Sequence, residues 1–118
     1  MRISAGARSP EELEMLFEDS LMVRDSTALA ELFEVGAVLV TDETQPARGS
    51  VAIARLALET WDGDHTYVAD PLLVRQARDI ALIVAQRTIN VARCGHDGVW
   101  RYAIVLCAVD KDAESGKR

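Results

Sequence analysis

An α+β domain is what this sequence predicts, and three observations lead there. Helical spacing governs the first sixty residues, the hydrophobic period changes to two beyond Asp62-Gly63-Asp64, and residues 80–85, IALIVA, are apolar at both parities. Helices followed by long strands segregate into a helical layer against a mostly antiparallel sheet. The 118 residues suffice for one domain with its own core, spanning 1–118, with 1–8 and 111–118 expected as flexible tails.

Each element has a local cause. Ser9-Pro10-Glu11-Glu12 is a capping box that starts a helix running to about Arg24. Leu13, Leu16, Phe17, Ser20 and Leu21 form its buried stripe, and Glu14, Glu18 and Asp19 lie off it. Asp25-Ser26 caps a short second helix that buries Leu29, Leu32 and Phe33 and stops at Gly36. Ala37 to Thr41 is a brief strand, Asp42 to Arg48 a polar loop around Pro46, and Gly49-Ser50 opens a third helix, polar only around Arg55 and Glu59.

Three long strand candidates follow: Thr66 to Gln76, Asp79 to Arg93, and Val99 to Val109. Arg78-Asp79 forms the first turn and Gly95 to Gly98 the second. An antiparallel strand with one wet face alternates cleanly, so a doubly apolar run must be covered on both sides. Helices cover one; a second copy of the chain covers the other, which predicts a homodimer through the sheet.

Bulk chemistry narrows the function classes. The net charge is −6, with fourteen acids against five Arg in residues 1–70 and five acids against eight bases thereafter. An acidic front without a basic stripe argues against nucleic acid, whose phosphates need clustered Lys and Arg. No apolar stretch reaches membrane-spanning length and MRISAGARS lacks a signal-peptide core, so a cytoplasmic, soluble protein is expected, with no membrane partner. Cys94 and Cys107 have no metal-site spacing. For a two-residue loop at His96-Asp97 they fall out of register across the hairpin, so both are read as free thiols. No nucleophile elbow, Gly-rich phosphate loop or metal-ligand spacing occurs, and no cofactor or metal is expected.

The order helix, helix, short strand, helix, long strands resembles the NTF2-like superfamily, the cone-shaped fold of SnoaL-like polyketide cyclases and ketosteroid isomerases. LAELFEVGAVLVTD followed by ARGSVAIARL resembles that family's run from second helix through first strand into third helix, and HDGVWRYAI resembles its closing hairpin. The resemblance implies three N-terminal helices on a curved, mixed, mostly antiparallel sheet with a pocket between the layers. Only three long strands plus the short one fit, so a trimmed sheet is expected.

In ketosteroid isomerases a Tyr and a protonated Asp form the oxyanion hole and a second Asp moves the proton. The resemblance puts Phe17, Asn90 and Thr41 at those places, which removes the usual hydroxyl donor and base and leaves the Asn90 amide able to donate to a carbonyl oxygen. Asn90 is therefore the one weak catalytic candidate. Phe17, Thr41, Trp61, Gln86, Thr88, Asn90 and Trp100 are the expected ligand-binding residues, and the implied ligand is a small hydrophobic, polyketide-like or carbonyl-bearing molecule. The alternative is a non-catalytic dimerisation or partner-binding module whose cavity its own side chains fill. Taken as one strand, residues 79–93 put Gln86, Thr88 and Asn90 on the same face as Ile80, Leu82 and Val84.

Two other groups read as turns. Arg75, Arg78 and Asp79 resemble, in part, the Asp-Arg-Asp set of limonene epoxide hydrolases, but only Asp79 and, more remotely, Asp70 are available to flank the Arg. His65 and His96 stand beside Asp64 and Asp97, where a His–carboxylate pair could act as a base, although neighbours in a turn usually diverge into solvent.

Overall fold

The computed structural model describes residues 6–42, 45–62 and 66–107. Helix α1, Pro10–Met22, starts as expected: the Ser9 hydroxyl accepts from the Glu12 amide at 3.0 Å, and Pro10 sits where no amide hydrogen is needed. The Glu12 carboxylate reaches one residue further back than a capping box requires and accepts from the Arg8 amide at 2.7 Å. Past α1, Arg24 turns through a positive φ and donates to the Leu58 and Trp61 carbonyls. Those carbonyls lie at the C-terminal end of α3, Ser50–Thr60, where orphan acceptors and the helix dipole favour a cation.

Helix α2 is Ser26–Glu31, capped by Asp25 through the Ala28 amide. Phe33 does not belong to it. Strand β1, Phe33–Thr41, begins four residues earlier than the β-rich run suggests, and Leu32 is the helix cap. Helix α3 buries Ile53, Ala54 and Ala57 but leaves Val51 exposed, so it is amphipathic rather than nearly enclosed. The N-terminal segment is also held earlier than expected, because Ala7 is fully buried and bridges to Trp100.

The remaining strands are β2, Ala47–Arg48; β3, Leu73–Ala77; β4, Ile80–Val84; β5, Thr88–Cys94; and β6, Trp100–Cys107. They form one sheet in the order β2-β1-β6-β5-β4-β3, with β1 and β6 parallel and every other pair antiparallel. The expected strand over 79–93 is thus two strands, joined at Ala85 to Arg87, where the Ala85 amide donates to the Thr88 carbonyl at 2.8 Å. The sheet therefore has six strands and is not trimmed. The turns at Arg78-Asp79 and Gly95 to Gly98 stand where the sequence puts them, and positive φ at Arg78 and Gly98 closes each. Cys94 pairs with Trp100 and Cys107 with Thr88, and neither forms a disulfide among the described residues.

Splitting 79–93 also reverses a face assignment. Ile80 and Leu82 point outward, whereas Thr88, Asn90 and Ala92 point inward. On the inner face, register aligns Leu39, Val105, Asn90, Ile83 and Val74 across five strands. Against them pack Leu13, Phe17, Leu29 and Ile53 from the helices, forming the core. On the outer face the same register aligns Val38, Ile104, Val91 and Leu82, and beside them Val40, Leu106, Ile89, Val84 and Leu73. Among the described residues, no helix is long and apolar enough to cross a membrane.

Candidate functional site

At the centre of the inner face, three donors converge on one carboxylate. Glu14 is fully buried beneath α1, and its Oε1 accepts from the Tyr67 hydroxyl at 2.5 Å. Its Oε2 accepts from the Tyr102 hydroxyl at 2.6 Å and from the Asn90 amide nitrogen at 3.0 Å. Carboxylate–hydroxyl bonds of this length are charge-assisted, and the three donors offset the cost of burying the acid. Burial, then the neighbouring Glu14, pushes both tyrosine hydroxyls well above their usual range, so each keeps its proton.

The sequence reading placed Glu14 on the solvated side of α1, and that is overturned. The stripe through Leu13, Phe17 and Leu21 is broad enough that Glu14 lies on its flank, and Tyr67, Asn90 and Tyr102 arrive from 53, 76 and 88 positions away. Neither tyrosine was singled out for the site, yet together they supply the interior hydroxyls that Phe17 lacks. Phe17 meets Phe33, Trp61, Tyr67 and Tyr102 with ring centroids 4.7–5.8 Å apart, mostly edge to face.

Asn90 faces the interior and is fully buried, but its nitrogen is engaged by Glu14 and, more weakly, by the Tyr67 oxygen at 3.4 Å. Its Oδ1 has no hydrogen-bond partner among the described residues. Flipping the amide would set two acceptors against each other, so the orientation is fixed by the carboxylate.

Above this cluster opens a cleft of about 290 Å³, walled by Trp61, Tyr67 and Leu72, with Thr88 on its floor. Thr88 is 3% exposed, and its hydroxyl lies beside the Tyr67 phenol without forming a well-shaped hydrogen bond to it or to any other group among the described residues. Gln86, with Arg87 and Asp70, forms the exposed rim. The structure therefore brings Trp61, Gln86 and Thr88 together, with Asn90 one step deeper and Phe17 behind Tyr67.

Two expected residues lie elsewhere. Thr41 stands on the same rung as Thr88 but two strands away, across Cys107. Trp100 is at the opposite end of β6, in a broad separate groove with Ala7 and Leu16. Arg75 is exposed, and Arg78-Asp79 is a turn. His96 is exposed in the last hairpin, where Asp97 accepts from Arg101 and then from the Val99 amide, interactions that hold its carboxyl below the usual range. His65 lies outside the described residues. Among those described, no group of three or more His, Cys, Asp or Glu is placed to hold a metal.

No protein-family model and no curated protein sequence matches the chain. Solved structures do. A candidate calcium/calmodulin-dependent protein kinase type II association domain from Thiobacillus denitrificans superimposes with a TM-score of 0.69 at 13% identity, over 89% of this chain and 98% of that one. A ketosteroid isomerase-like protein from Erwinia carotovora atroseptica gives 0.62 at 15% identity, over 83% and 91%. An NTF2-like protein with a cystatin-like fold from Novosphingobium aromaticivorans gives 0.63 at 17% identity, over 89% and 84%. The chain has the NTF2-like fold, an α+β cone with a six-stranded mixed sheet.

Proposed function

We propose that this chain is a small-molecule-binding domain whose site is the cleft bounded by Trp61, Tyr67, Leu72 and Thr88, and that it works as a homodimer through the outer face of its sheet. The observation that carries the binding reading is a concave, aromatic-walled cleft lying directly on a buried polar cluster. Apolar walls with a few fixed polar groups are what small-ligand sites offer. Ketosteroid-type proton transfer draws no support from the geometry: both tyrosine hydroxyls and the Asn90 amide donate to Glu14, which leaves none of them to polarise a carbonyl.

The dimer reading rests on Ile80, Leu82, Ile89, Ile104 and Leu106, each more than a third exposed on adjacent strands of one face. Together they make a patch of a few hundred Å², the scale at which exposed apolar surface marks an interaction site. A second copy of the same face is the simplest complement. One relative of the fold carries the name association domain, which fits a fold able to self-associate.

A titration with toluene as the probe, followed by NMR, tests the cleft. Shifts confined to the Trp61 indole and to the Tyr67–Leu72 and Ala85–Thr88 amides, abolished in Trp61→Ala, are expected. A second reading, an association module with a filled interior, is favoured by the rings packed around Phe17 and by the saturated Glu14. It takes over if the parent is dimeric and toluene leaves those resonances unmoved.

A further inference from the structure

The hydrogen-bond polarity of the cleft is opposite to that expected of a carbonyl-binding site. Glu14 accepts the protons of Tyr67 and Tyr102 and one of the Asn90 amide, whose nitrogen also approaches the Tyr67 oxygen at 3.4 Å. What remains unpaired are oxygens. Among the described residues the Thr88 hydroxyl on the floor has no partner, and the Asn90 Oδ1 behind it has none either. Thr88 and Asn90 are both more than nine-tenths buried, so the desolvation cost of these oxygens is already incurred in the empty protein.

We infer that the cleft selects a small molecule with an apolar body and a hydrogen-bond donor, an alcohol or an amine, directed at Thr88, in preference to a carbonyl compound. The inference rests on the cleft-binding reading above and adds the ligand's chemistry to it. A carbonyl oxygen approaching the same floor meets the Tyr67 oxygen with no proton to share, and only the Thr88 hydroxyl could turn to donate. A donor meets the Thr88 oxygen, whose own proton can turn to the Tyr67 oxygen beside it. Trp61 and Tyr67 offer aromatic surface to the apolar body. The potential donors Gln86 and Arg87 lie at the solvated rim, where a hydrogen bond discriminates least.

The test is a matched series on one scaffold: toluene, benzaldehyde, benzyl alcohol and benzylamine, titrated against the full chain by NMR and calorimetry. Benzyl alcohol, benzylamine or both should bind about tenfold more tightly than toluene and benzaldehyde, the ratio one hydrogen bond to a buried acceptor gives. Thr88→Val, which swaps the hydroxyl for a methyl, should erase that preference while toluene binding persists, and Thr88→Ser should restore it. Thr88→Val is expected to melt no lower than the parent, so loss of the fold does not imitate the result. Benzaldehyde binding as tightly as the donors, or a preference unchanged in Thr88→Val, overturns the inference while the cleft reading stands. If no member of the series, toluene included, shifts the cleft resonances, both fall together.

Discussion

Tyr102, on the last strand of the sheet, donates its phenolic proton to Glu14 on the first helix at 2.6 Å, across 88 positions of sequence. With Tyr67 and Asn90 on the same carboxylate, this contact pins α1 to β5, β6 and the segment leading into β3. Removing the acid strands three buried donors. Glu14→Ala is therefore expected to cost roughly 3–5 kcal/mol, as other broken buried charge networks do. Urea denaturation measures the loss. A double-mutant cycle with Tyr102→Phe should show coupling on the order of 1–3 kcal/mol, and additivity within a few tenths would mean that the two groups act independently.

Alkaline titration offers a second handle, because Tyr67 and Tyr102 are the only two tyrosines in the chain. Both are raised in the folded state, first by burial and then by Glu14. A raised acid favours its neutral form on folding, so the stabilisation is complete below the unfolded tyrosine value of about 10 and is lost as the pH climbs above it. Tyrosinate absorbance near 295 nm should stay absent until the protein unfolds and then appear together with the loss of helical circular dichroism. Smooth titration of either ring near pH 10 in the folded protein would contradict the buried network. Tyr67→Phe combined with Tyr102→Phe should flatten the pH dependence above 10 and lower stability below it.

The outer face makes its own prediction. Leu82 and Ile104 are each more than a third exposed and stand on one rung with Val91 between them. Leu82→Glu or Ile104→Glu should convert a dimer into a monomer by sedimentation at micromolar concentration and leave the circular dichroism spectrum intact. A parent chain that sediments as a monomer removes the basis for the dimer.

How much of this was legible in the sequence divides along contact range. Ser9 and Asp25 cap their helices through bonds three residues long, Asp79 marks the turn after Arg78, and Gly98 supplies the positive φ of the last hairpin. These are local facts, and the sequence carries them. The break at Ala85 to Arg87 contains no Gly, Pro, Asn or Asp, so β4 and β5 merged into one apparent strand and Asn90 was set on the same face as Leu82. Glu14 was missed for a deeper reason. An acid on the flank of a helical stripe reads as solvated unless its partners are known, and here all three lie more than fifty residues away. A helix acid facing two tyrosines and an inward amide is a long-range coincidence that periodicity does not encode.

The parallel pairing of β1 with β6 has a consequence for how the chain assembles. Until residues 100–107 have been synthesised and have inserted, β1 has only the two residues of β2 beside it, although it forms an inner strand of the finished sheet. The β6-side edge of Val38, Leu39 and Val40 thus waits unpaired while more than sixty residues emerge, the situation in which non-local pairing slows folding and invites misassociation. Substitutions that weaken the β1–β6 seam should act chiefly on yield during synthesis, where a growing chain competes with its neighbours, before they register in the equilibrium stability of the purified protein.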